Sequence, residues 1–159
     1  MDAKSSAAST ARAKELRVNE QKWSKPLMDA GWTAIPTVIF ERQKALGLDP
    51  LDVNILLHLA AYWWTPDNKP HPSKKTIAAA INIDPRTVQR HIAAMEKAGF
   101  IRRQQRRLPG KGSKTNIYHF EGLIKEALPY AKEKLAEKKR RAEEDTKRVG
   151  RRRVALTAV

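Results

Sequence analysis

SKKTIAAAINIDPRTVQRHIAAMEKAGFIRR, residues 73–103, holds two short helical patterns, a hinge between them and a run of arginines after them. Ser73 is an N-cap for a helix over 74–81, in which Ile77 and Ile81 stand one turn apart. Asn82, Ile83 and Asp84 form the hinge. Asp84-Pro85 then starts a second helix, with an acid to cap it and a proline at its first helical position. That helix runs to about Ala98, where Gly99 stops it. Val88, Ile92 and Met95 recur at i, i+4 and i+7 and make one inward stripe.

With Val88 taken as the inward direction, Arg86 lies about 160° and Arg90 about 200° away at 100° per residue. Ala93 and Lys97 fall in the same outward sector, flanked by Thr87 and Gln89. His91 lies about 60° from the inward direction, the place of a packing or edge residue. Arginines at 86 and 90 suit bidentate bonds to guanine, and Gln89 suits adenine. Thr87 sits near the helix N-terminus, where free amides favour a phosphate.

Working outward, Ile101–Leu108 reads as a strand, 109–115 as a glycine-containing tip and 116–120 as a return strand. From Arg102 through Arg103, Arg106, Arg107 and Lys111 to Lys114 the hairpin is basic and holds no acid. Phosphates would screen such a run, with strongly salt-dependent affinity. Upstream, Asp49-Pro50 opens an apolar helix predicted to reach Trp64, preceded by a short helix over about 36–45 with Pro36 in its first turn. The proline-rich stretch 65–72 is a connection. The order is helix, extended link, helix, tight turn, helix, hairpin. It predicts a mainly α fold with a small β-hairpin, a winged helix-turn-helix over 21–120. A flexible basic arm over 1–20, a C-terminal helix over 121–147 interrupted or bent near Pro129 and a basic flexible tail over 148–159 complete the expected organisation.

PHPSKKTIAAAINIDPRTVQRHIAAMEKAGFIRR, with WTAIPTVIFERQKALGLDPLDVNILLHLAAYW before it, resembles the helix-turn-helix domains of phage and plasmid replication initiators and related small bacterial regulators. The likeness spans roughly residues 32–120. It implies that Thr87, Gln89 and Arg90 face DNA bases, and that Ser73, Lys74, Lys75 and Thr76 lie beside the backbone. The very basic strand after Ile101 and the long charged C-terminus depart from the pattern.

Composition agrees with a polyanionic partner: 32 Lys and Arg against 17 Asp and Glu give a formal charge of +15. Cysteine is absent, which excludes disulfides, thiolate nucleophiles and cysteine zinc sites. The four histidines, His58, His71, His91 and His119, have no metal-ligand spacing. Gly110-Lys111-Gly112-Ser113-Lys114 lacks the spacing of a phosphate-binding loop, and no nucleophile-base set is present. Neither enzyme activity nor a cofactor or metal is expected. The apolar run 53–64 is about half the length of a membrane span, and no signal-peptide pattern opens the chain. A cytoplasmic location, with the nucleoid or a plasmid, is expected.

Leu123, Ile124, Leu128, Ala131 and Leu135 give the C-terminal helix an apolar stripe, suited either to a homodimer or to packing on its own domain. Double-stranded DNA is the expected partner, in sequence-specific transcriptional regulation. The alternative is a replication initiator that marks an origin and recruits a replication protein. A third reading is a module that binds an acidic protein.

Overall fold

The computed structural model describes residues 17–108 and 112–153. The chain divides into two compact units, Met1–Ala34 and Ile35–Val159. In the first, α1 is described over 17–23 and α2 covers Lys25–Asp29. Between them Ser24 takes a left-handed φ of 74° and donates its amide to the Glu20 carbonyl at 2.8 Å. Lys25 and Asp29 pair at 2.9 Å one turn apart. Residues 17–20 of the expected arm are thus helical, and 1–16 lie outside the described residues.

The second unit opens with two short helices where one was predicted: α3 (Thr37–Glu41) and α4 (Gln43–Leu46), broken at Arg42. Pro36 is extended at ψ 126° and acts as the N-cap, so it precedes the first turn. Val38, Ile39 and Leu46 are buried. Gly47, at φ 73°, reverses the chain into α5 (Pro50–Ala60).

Asp49 caps α5 by accepting from the Asp52 amide at 2.8 Å, and Asp52 returns the bond to the Asp49 amide at 3.0 Å. This reciprocal box satisfies two of the amides a helix start leaves open. Ile55, Leu56 and Leu59 are wholly buried, which makes α5 the central helix. It ends at Ala60, short of the predicted Trp64. Trp63 instead leaves the helix and stacks on Phe120, centroids 5.2 Å apart, with Lys69 over its ring at 5.1 Å. Trp64 points to solvent.

α6 (Lys74–Ile81) and α7 (Pro85–Lys97) flank the hinge at Asn82–Asp84. Asn82 adopts φ 54° and ψ 50°, a conformation asparagine tolerates better than most residues. Its turn closes as the Ile83 amide donates to Ala78 at 3.0 Å. At the far end of α7, Phe100 and Gly99 donate to Met95 and Glu96 at 2.9 and 3.0 Å, a Schellman stop with Gly99 at φ 80°.

β1 (Arg102–Leu108) and β2 (Gly112–His119) pair antiparallel, with an irregularity between Gln104 and Arg106. β2 begins at Gly112, earlier than the predicted 116, and residues 109–111 of the predicted tip lie outside the described residues. The Tyr118 amide donates to Pro70 at 2.9 Å and ties the 65–72 connection to the hairpin.

α8 (Glu121–Arg153) is one helix. The predicted interruption at Pro129 is absent. Proline there removes one intrahelical bond, but Lys125 and Pro129 are both exposed, so water can reach the carbonyl left over. The helix also continues past 147 into the segment expected to be a flexible tail, aided by the i,i+4 pairs Arg140–Glu144 and Arg141–Glu137. Leu123 and Ala127 join the core formed by α5, α6 and α7, while Ile124, Leu128 and Leu135 stay exposed. The first turn of α8 lies directly against the end of α7: Leu123 donates its amide to Phe100 at 2.8 Å. No helix among the described residues is long and apolar enough to cross a membrane.

Candidate nucleic-acid interface

The inward stripe of α7 is complete, with Val88 and Ile92 fully buried and Met95 nearly so. That burial fixes the rotation of the helix and leaves the opposite face outward. The Asp84 carboxylate accepts from the Arg86 amide at 2.6 Å and begins the helix just before this face. Arg86, Thr87, Gln89 and Arg90 together line one shallow depression on it. Ala93 and Lys97 continue the exposed face toward the C-terminus.

A second depression lies between the start of α6 and strand β2. Ser73, Lys74 and Lys75 line one side; Lys114, Thr115 and Asn116 line the other. Ser73 accepts from the Thr76 amide at 3.0 Å and bonds the Thr76 hydroxyl at 2.8 Å, which holds the first turn of α6. The two depressions meet through a side chain: Lys74 Nζ donates to Gln89 Oε1 at 2.9 Å. Lys74 thus joins the outward face of α7 to a groove that Lys75 of α6 and Lys114 of β2 also line.

The wing divides its arginines between surface and interior contacts. Arg102 and Lys114 are exposed. Arg103 is engaged by Glu96 at the end of α7, where its Nε donates to Oε2 at 2.6 Å and its amide to Oε1 at 3.0 Å. This guanidinium holds the Glu96 carboxyl below its ordinary pKa of 4.5. Arg106 bonds the Thr115 carbonyl at 2.9 Å and the Thr115 hydroxyl at 2.8 Å across the hairpin. The sequence treats all these cations as unopposed, yet Arg103 and Arg106 each commit part of their guanidinium to contacts within the fold. Arg107 lies in β1 opposite Ser113; its side chain and Lys111 fall outside the described residues.

His91 does more than the packing assigned to it from the helical wheel. Its Nδ1 stands 2.7 Å from Asp52 Oδ1 and 3.7 Å from Asp49 Oδ2. A clasp thus joins α7 to the N-terminal box of α5. The three side chains have the donor types of a cation site and lie within 4.8 Å of one another. Asp52 already accepts from both the Asp49 amide and His91, so its oxygens serve the cap and the clasp. Their separation of 39 positions in the chain left no local signal to find.

Tyr118, buried behind the wing, has its phenol pKa raised by that burial. Glu121 at the start of α8 is lowered, chiefly by the hydrogen bond from its own amide.

Residues 46–101 match the helix-turn-helix domain family. With the hairpin that follows, they make a winged helix-turn-helix, a DNA-binding fold. Among solved structures, one described as a possible transcriptional regulator from Methanosarcina mazei Go1 is similar at 21% identity, with a TM-score of 0.41. That likeness covers 69% of this chain and 85% of the other. No curated protein matches.

Proposed function

We propose that this chain is a transcriptional regulator that binds double-stranded DNA at specific sequences, with α7 in the major groove. One observation carries the reading: Arg86, Thr87, Gln89 and Arg90 share an outward face bordered by the cations of α6 and the wing. Arg86 and Arg90 are the bidentate donors for guanine edges. Lys74, Lys75 and Lys114 border the groove that receives a phosphate strand, and Ser73, bonded to Thr76, adds a hydroxyl there. Arg102, Arg107 and Lys111 extend the contact along the backbone or over the minor groove, and Lys97 reaches the flanking phosphates.

The test is a footprint across genomic DNA at about 0.15 M salt with excess competitor, conditions that suppress charge-driven binding. Discrete protected sites upstream of coding regions support regulation. An array of direct repeats in AT-rich DNA points instead to the initiator role that the sequence resemblance implies. Uniform weak protection removes sequence-specific binding altogether.

A further inference from the structure

α8 offers a face that its own domain leaves uncovered. Leu123 and Ala127 are buried in the core, but Ile124, Leu128 and Leu135 are 50%, 48% and 66% exposed. With half-buried Ala131 between them, these residues are spaced four, three and four apart, the seam of a coiled coil. Extended at the same spacing, the seam reaches Ala142 and Val149, with Lys138 and Asp145 interposed. The columns on either side are basic: Lys125, Lys132 and Lys139 along one edge, Lys134, Arg141 and Arg148 along the other. Lys134 pairs with Glu41 and Arg141 with Glu137, so the column without acidic partners among the described residues is Lys125, Lys132 and Lys139; Glu133 and Glu144 pair off the seam with Arg42 and Arg140.

We propose that this face docks an acidic amphipathic helix of a partner protein. A second copy of the chain fits poorly. Parallel pairing would set Lys134 against Lys139 of the other copy, and antiparallel pairing would set each basic column against itself. Duplex DNA would use the cations but leave the leucines in water. A helix with leucines on its seam and glutamates beside it satisfies both features at once. This surface is independent of the α7 face, so either role can fail without the other.

Two labelled peptides test the idea by fluorescence anisotropy on the full chain. Both are helical heptad repeats with leucine at the seam; one carries Glu on its flanks and the other Lys. The Glu peptide should bind saturably and the Lys peptide should not. The pair L128Q/L135Q should lower that affinity about tenfold or more, since each leucine loses its burial. The charge reversal K132E/K139E should transfer preference to the Lys peptide, an outcome that mere unfolding cannot produce. No binding of the Glu peptide, or equal binding of both, overturns the proposal. So does a dimer of the chain alone that L128Q/L135Q dissociates, which assigns the face to a second copy. Weakened duplex binding in K132E/K139E with peptide preference unchanged assigns the cations to DNA and also overturns the proposal.

Discussion

Lys74 Nζ donates to Gln89 Oε1 across 2.9 Å and latches the start of α6 to the outward face of α7. Bidentate reading of adenine needs the glutamine carbonyl as acceptor and its amide as donor. Lys74 takes one of the two lone pairs of that carbonyl and pins the side chain toward α6, so Gln89 is not free to aim both groups at a base edge. Lys74→Ala should free the carbonyl and raise the preference for adenine opposite Gln89, while weakening overall affinity through one lost cation. Selection from randomised duplexes measures both. An unchanged base preference would remove Gln89 from the reading set.

Arg90 shares the depression with Gln89 and has no acidic partner among the described residues. Arg90→Ala should cost about 1–3 kcal/mol on the specific site, the range for one bidentate base contact. Binding to random DNA should change little. An equal loss on every duplex would reassign Arg90 to the phosphates.

The sequence discloses the parts of this fold that are encoded locally. Asp49-Pro50, Ser73, Asp84-Pro85 and Gly99 punctuate α5, α6 and α7 where the caps are found, because each signal works through its nearest amides. The rotation of α7 is equally legible, since Val88, Ile92 and Met95 leave one way to bury it. The fate of individual cations is not. Whether Arg103 reaches outward depends on Glu96 standing at the end of another element, and Arg106 turns to Thr115 across a hairpin with an irregular register. The clasp of His91 on Asp52 likewise depends on how α5 and α7 cross. Composition counts charges, and only packing decides which of them face a partner.

The Glu96–Arg103 contact fastens the wing to the end of α7, and its acid dependence has a definite sign. Glu96 is lowered below 4.5, first by the Arg103 side-chain hydrogen bond. A carboxyl with a depressed folded-state pKa stabilises the fold fully above its unfolded value, and that stability is lost as pH falls through the folded value. Thermal melts should therefore show Glu96→Gln less stable than the parent at neutral pH, with the gap closing as pH falls below the ordinary carboxyl value of 4.5. A gap that is constant over the whole range would mean the charge is not what holds the wing. Glu121, also lowered, adds acid sensitivity that Glu96→Gln leaves in place.

Two glycines in α8 give opposite expectations for the same substitution. A Cβ on Gly122 would stand 1.7 Å from the Gly99 carbonyl oxygen, part of the backbone that ends α7. No rotamer relieves a clash with backbone, so α8 must shift and the Leu123–Phe100 bond with it. Gly122→Ala should lose about 1–3 kcal/mol, as overpacked sites do. A Cβ on Gly150, in the helix interior, would meet nothing within 4 Å. Gly150→Ala should raise local helicity, worth up to about 1 kcal/mol from propensity alone. Urea denaturation measures the first and helical circular dichroism the second. If both variants behaved alike, the close approach of α8 to the end of α7 would not be a feature of the folded chain, and the core contacts of Leu123 and Ala127 would go with it.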